Sequence, residues 1–232
     1  MLPIRDNVPT RTFPLITVLL IAANVAVWFW ELSGSGLESH VYRYSFYPCQ
    51  IDKPCLTDVA QLRELPWQES VFTSMFMHGS WLHIGGNMLF LWIFGNNVED
   101  ALGKFRFVAF YLLGGLAATA LQLVVTAKFA SQAEAGIPNL GASGAIAAVL
   151  GAYLVLLPTA NVLTFIGFFL VPVPAIVFLG LWFLFQLWEG GFAIAHPEAG
   201  GGVAFFAHVG GFVFGLLTVT SFAIRRPLRP RW

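Results

Sequence analysis

The sequence predicts an all-α membrane protein: one bundle of six transmembrane helices with both termini on the cytoplasmic side. Three observations point there. Hydrophobic residues make up 57% of the chain and charged residues only 10%, against about 25% charged in a soluble domain, so such a chain could not solvate its own surface in water. Six stretches are apolar over roughly the 20 residues that a helix needs to cross a hydrocarbon core of about 30 Å. Basic residues gather on alternate connections between those stretches. The formal net charge is zero, which leaves no basic surface to suggest nucleic acid. The partner implied is the lipid bilayer.

The six stretches are 14–31, 81–98, 106–127, 141–157, 173–188 and 203–224, giving a membrane domain over 14–224. Residues 1–13 form a short cytoplasmic N-terminus. The apolar run after Arg11 is longer than the core of a signal peptide and ends in VWFWEL without a small-residue cleavage site, so it reads as a retained first helix. Six spans return the chain to the side where it began. Arg5, Arg11, Lys104, Arg106, Arg225, Arg226, Arg229 and Arg231 then share one face, and Arg43, Lys53, Arg63 and Lys128 the other. Eight of the twelve basic residues therefore mark the cytoplasmic side, and 225–232 is a basic cytoplasmic tail.

The outer loop, 32–80, starts polar and rich in turn formers and later gathers Phe72, Met75, Phe76 and Met77. Exposing those four together is costly, so the end of the loop is expected to sit partly embedded at the outer interface. Cys49 and Cys55 have only His40 nearby, too few ligands for a metal site. They form a disulfide staple in an oxidising compartment or remain two free thiols in a reducing one. Segment 162–171 is apolar, but as a helix its length would rise only about 15 Å. Pro172 and Pro174 interrupt it. It reads as an interfacial or protein-packed connector, or as the start of a long kinked fifth helix.

Polar groups inside spans are expensive and mark function by default. The reactive ones are Ser143 on the fourth span, His208 on the sixth, and His83 and Asn87 on the second, with His78 just outside it. Counted at 1.5 Å per residue from the inner end of each span, Ser143, His208, His83 and Asn87 sit roughly 17 to 24 Å up, near one level. His83 and Asn87 are four residues apart and share a face. His208, Gly211 and Gly215 share a stripe, and Gly144, Ala148 and Gly151 offer a matching one. Small residues let two backbones approach closely, and packing these stripes brings His208 beside Ser143. Asn24, Gln122 and Gln186 read as amides bonding helix to helix.

A serine hydroxyl becomes nucleophilic when a base takes its proton, and neutral histidine is the usual base. Ser143 also lies in the first turn of its helix, where backbone N–H groups lack internal partners and can hold an oxyanion. Glu134, Glu189 and Glu198 all fall in outer loops or span ends, so a dyad of Ser143 and His208 is expected rather than a triad. Each residue alone has a structural reading: serine bonding back to a carbonyl, histidine as relay or packing, asparagine as a helix-to-helix donor.

Three segments, HGSWLHIGGNMLFLWIFGNNVEDALG (His78–Gly103), GASG (Gly141–Gly144) and AHVGGFVFG (Ala207–Gly215), occur in this order on even-numbered spans. Together they make the chain resemble the rhomboid family of intramembrane serine proteases, from about Trp67 to Leu217. The resemblance implies a rhomboid-like six-helix bundle with Ser143 as nucleophile and His208 as general base. It implies an oxyanion site of His83, Asn87 and the Ser143 amide, with His78 in a supporting role. Glu99 and Gly103 fit a structural pattern of capping and turning. Loop 188–207 would be a mobile lid or an ordinary connector.

No metal and no small-molecule cofactor is implied, and the substrates are transmembrane proteins cut near the outer face. The expected location is a bacterial inner membrane, as a multi-pass protein. Two departures stand out: Trp67-Gln68 replaces a usual Trp-Arg, and Ala147 replaces an aromatic that packs on the histidine in several members. The alternative is a non-proteolytic rhomboid-like protein that binds membrane clients. Such proteins are expected to lose the serine or the histidine, and this chain keeps both.

Overall fold

Helices occupy all six apolar stretches in a computed structural model that describes residues 1–51, 55, 64–196 and 204–231. In chain order they are α1 (Leu15–Glu31), α2 (Leu37–Tyr44), α3 (Trp67–Ser74), α4 (Trp81–Leu102), α5 (Lys104–Phe129), α6 (Gln132–Ala135), α7 (Ser143–Leu156), α8 (Ala175–Ala195) and α9 (Phe205–Phe222). Among the described residues α5, α8 and α9 are each long and apolar enough to cross a membrane, and α1 and α7 are shorter apolar helices. The chain is a mostly helical integral membrane protein.

Local chemistry sets the helix ends. Ser80 Oγ accepts from His83 N–H at 3.1 Å and starts α4, satisfying one of the free donors of its first turn. Gly103, at φ +77°, separates α4 from α5 in a left-handed conformation that glycine adopts without a steric penalty. Glu99 reaches from the far end of α4 to the first turn of α1. Its carboxylate accepts from Ile16 N–H at 3.0 Å, Thr17 N–H at 2.8 Å and Thr17 Oγ1 at 2.8 Å. Beside it Asp100 takes an ion pair from Arg11 at 2.9 Å.

The central helix is α7. Every residue from Gly144 to Tyr153 is buried, as expected for a helix that is apolar on all sides. It is enclosed by α4, α5, α8 and α9.

The all-α expectation is corrected by a three-stranded antiparallel sheet, in order β1 (Leu2–Asp6), β2 (Asn161–Ile166), β3 (Phe169–Pro174). Segment 162–171 connects α7 to α8, and it is not the start of a kinked helix. It is a hairpin, pairing Asn161 with Pro174 through Ile166 with Phe169 around Gly167 at φ +60°. Its valines, threonine and phenylalanines suit strands, and prolines are tolerated because β3 lies at the sheet edge. β1 comes from the segment read as a plain N-terminus and pairs with β2 with a shift in register between Pro3 and Arg5.

Val162, Thr164 and Val173 are buried beneath the sheet. Asp6 locks it to the bundle, its Oδ2 accepting from Tyr153 OH and Asn97 Nδ2, each at 2.6 Å. Burial pushes the Asp6 carboxyl up to about 6 against the pull of the Tyr153 hydrogen bond and of backbone N–H groups. Ile224 and Arg225 N–H bond to the Ala101 carbonyl and Arg231 N–H to that of Asn7. Both ends of the chain therefore lie at one end of the bundle.

At the opposite end, Cys49 and Cys55 form a disulfide. The apolar cluster of the outer loop divides: Met75 and Met77 are buried in protein, whereas Phe72 is exposed. Met75 fills the space that Gly115 of α5 leaves open. Helix α8 continues to Ala195, beyond the boundary at 188, so the first part of the expected lid is helical. Its last residues, 205–207, open α9, and 197–203 lies outside the described residues.

Candidate active site

The two glycine stripes meet. A methyl group built on Gly211 would overlap the carbonyl oxygen of Gly144, one on Gly215 that of Ala148, and one on Gly151 that of Phe212. Backbones this close are possible only where there is no Cβ. The approach carries His208 of α9 onto Ser143 of α7, with His208 Nε2 2.8 Å from Ser143 Oγ.

Ser143 is the first residue of α7, so its N–H and those of the next residues have no carbonyl acceptor within the helix. Gly141, at φ +123°, turns the chain into that helix. A methyl there would lie 2.7 Å from His83 Nε2, so glycine both permits the turn and leaves room for the imidazole. His83 Nδ1 accepts from Gly79 N–H at 3.4 Å. A neutral imidazole accepting at Nδ1 carries its hydrogen on Nε2, the nitrogen nearest Gly141.

Asn87, one turn along α4, is buried, and its Nδ2 has no hydrogen-bond partner among the described residues. His83, Asn87, Ser143 and His208 all line one cavity of about 580 Å³. It continues along α7 past Ile146 to Leu150, about 10 Å from the serine. Its walls combine a few convergent polar groups with apolar side chains, the make-up of a ligand site.

His78 is not among the residues lining that cavity. It is fully buried, packs edge-on to His83 with ring centroids 5.0 Å apart, and donates its backbone N–H to both Glu31 carboxylate oxygens at 3.2 Å. Burial, with the His83 ring adding to it, holds the His78 imidazole down to about 3. The His78 ring therefore lies behind that of His83 and outside the cavity.

Sequence reasoning missed two neighbours of His208. Gln186 Oε1 lies 2.7 Å from His208 Nδ1, and the Trp182 ring packs on the imidazole at 5.9 Å between centroids. Both come from α8. The signal for Gln186 was its being a polar residue inside a span, but sequence spacing alone does not fix how α8 is rotated. Ala147, in the position where an aromatic was expected, instead faces Gly211, where a methyl would lie 3.2 Å away. Its small size serves the close approach of α9. Of the three amides expected to bond helix to helix, Gln186 reaches His208 and Gln122 accepts from Ala207 N–H at 3.2 Å, while Asn24 Nδ2 bonds the Leu20 carbonyl of its own helix at 2.7 Å.

Fold and site together define a helical membrane protein with a serine and a histidine in hydrogen-bond contact inside a recessed cavity. A family model described as Rhomboid domain matches residues 66–225, and the chain belongs to the rhomboid family. It is 35% identical over 153 residues to "Rhomboid protein 1, mitochondrial" of Saccharomyces cerevisiae, covering 64% of this chain and 40% of that protein. It is 34% identical over 156 residues to "Presenilin-associated rhomboid-like protein, mitochondrial" of Bos taurus, covering 63% and 36%. It is 30% identical over 152 residues to "RHOMBOID-like protein 12, mitochondrial" of Arabidopsis thaliana, covering 61% and 43%. The matches thus span roughly two fifths of these relatives' length. All three are named as mitochondrial, where the sequence reading expected a bacterial inner membrane.

Proposed function

We propose that the chain is an intramembrane serine endopeptidase that hydrolyses peptide bonds of transmembrane proteins near the outer membrane face. The observation that carries this is the 2.8 Å contact between His208 Nε2 and Ser143 Oγ. In the proposed reaction Nε2 takes the hydroxyl proton as Oγ bonds to the scissile carbonyl carbon. The Ser143 amide, His83 Nε2 and Asn87 Nδ2 receive the oxyanion. The imidazolium then protonates the departing amine, and water, activated by the same histidine, releases the acyl group. These residues are this chain's own, and no metal or cofactor enters a step.

All six apolar helices span the membrane in this reading, with both termini cytoplasmic. The excess of arginine at the end of the bundle where the termini meet supports that orientation. The cavity then opens toward the outer side, where the disulfide requires an oxidising compartment. A bacterial inner membrane with its periplasm meets that requirement, and the mitochondrial relatives make a mitochondrial membrane the competing location. Fractionation of the native cell decides between them.

The test is cleavage of a transmembrane substrate by the purified chain in a bilayer. Ser143→Ala and His208→Ala each abolish it while the protein still inserts and folds. Full cleavage by Ser143→Ala would end the proposal and leave client binding without proteolysis as the reading of this site.

A further inference from the structure

The amide of Gln186 has an orientation that its surroundings dictate. Its Nε2 donates to the Trp182 carbonyl at 3.3 Å, and a carbonyl oxygen can only accept. The nitrogen end must therefore face Trp182, which places Oε1 toward His208 Nδ1, 2.7 Å away. An amide oxygen is likewise an acceptor only, so Nδ1 must carry a hydrogen. The neutral ring then has a lone pair on Nε2, the atom that faces Ser143 Oγ at 2.8 Å.

From this chain of contacts we infer that Gln186 is a positioning residue, which holds His208 in the one tautomer able to take the serine's proton. The inference rests on the proposed protease function of Ser143 and His208. It supplies the third member that the sequence lacks as a carboxylate. Imidazole alone can carry its hydrogen on either nitrogen, and a ring protonated at Nε2 would meet the hydroxyl with a donor and could not act as base. A buried amide fixed at its other end favours one tautomer and one ring angle without placing a second charge in the bilayer. The Trp182 ring, 5.9 Å from the imidazole, adds a wall on the same helix, so a single turn of α8 carries both constraints.

Electrostatic surroundings leave Gln186 this role. The groups facing His208 are Ser143 from α7, Gln186 and Trp182 from α8, and His83 across the cavity from α4. The polar group that α5 brings to the start of α9 is the neutral Gln122, on Ala207 N–H. Glu189, one turn beyond Gln186 on α8, does not occupy Nδ1, which the amide already takes. Among the described residues both ring nitrogens are taken by neutral partners, Gln186 and Ser143.

The experiment compares the full chain in bilayers with its Gln186→Leu and Gln186→Glu forms, measuring kcat, KM and the pH profile of cleavage from about pH 5 to 9. Leucine keeps the bulk and removes the acceptor. Its kcat is expected to fall about tenfold or more, the scale of one neutral hydrogen bond, with KM within about twofold. Glutamate restores an acceptor at Nδ1 and favours the imidazolium. Its kcat returns to within about threefold of the parent, and the acid limb of its profile moves to higher pH than in either other form.

A Leu form with parental kcat overturns the inference, as does a Glu form equally impaired and with an unmoved acid limb. If the Leu form does not assemble, the acid limb of the near-isosteric Glu form decides alone. Ser143→Ala run alongside separates the two levels. Cleavage surviving in that form ends the protease reading itself, whereas an inactive Ser143→Ala beside a fully active Gln186→Leu removes only the role given to Gln186.

Discussion

Replacing Gly211 by alanine should disable the proposed protease by distance alone. The added methyl would overlap the Gly144 carbonyl oxygen, lie 3.1 Å from its carbon, and sit 3.2 Å from the Ala147 methyl. A carbon resting against a carbonyl oxygen needs about 3.3 Å, so α7 and α9 must part by at least about 1 Å at this level. His208 stands one turn from Gly211, and Ser143 adjoins Gly144. The same displacement stretches the 2.8 Å bond between them past the roughly 3.5 Å at which a hydrogen bond is lost. Overpacking of this kind costs about 1–3 kcal/mol of stability, which a folded bundle survives. Misplacing a catalytic group by about 1 Å costs on the order of 100-fold in rate. The assay is cleavage of a transmembrane substrate in bilayers, with thermal unfolding measured on the same samples. Gly180→Ala on α8 is the control, because a methyl there meets nothing within 4 Å. It should cleave like the parent and melt no lower. Parental activity in Gly211→Ala would refute the argument that glycine contact sets the Ser143–His208 distance.

Three further outcomes follow from other parts of the fold. Glu99→Ala removes the acceptor of three hydrogen bonds at the start of α1 and should lower unfolding stability by about 2–4 kcal/mol, seen as a reduced melting temperature; an unchanged one argues against the cap. Asp6 has a folded value near 6 against 3.8 unfolded. The fold therefore favours the neutral acid, and stability falls as pH rises between those values, by a few kcal/mol in order of magnitude. Asp6→Asn keeps an acceptor for Tyr153 and Asn97 and should flatten that slope in melting curves taken on either side of the window. Asn87→Ala removes one proposed oxyanion donor and should lower kcat by about 100-fold or more with little change in KM; an effect confined to KM would assign Asn87 to substrate binding instead.

The helices and their polar residues were largely readable in the sequence because the bilayer imposes a simple rule: long apolar runs, with every exception meaningful. Counting along helices placed Ser143, His208, His83 and Asn87 at one depth, and the spacing of Gly211 and Gly215 named the face that meets α7. What escaped the reading depends on rotation and on pairing distant in sequence. The orientation of Gln186 toward His208 requires knowing how α8 turns about its axis, and apolar α8 has no strong polar stripe to fix it. β1 is five residues long and contains Pro3. It is a strand only because β2, more than 150 residues away, offers it an edge. The hairpin itself was half visible, in that Pro172 and Pro174 interrupted any helix there and left a connector or a kinked helix open. For His78 the resemblance implied a supporting role, and the sequence did not show that its ring is buried against His83.

The central claim is that His208 turns Ser143 into a nucleophile that water-borne reagents can reach. Mass spectrometry after treatment with a fluorophosphonate tests it most directly. The predicted result is a single adduct on Ser143 that is lost in His208→Ala. Modification of Ser143 at an equal rate without the imidazole, or an adduct only on some other serine, would contradict it.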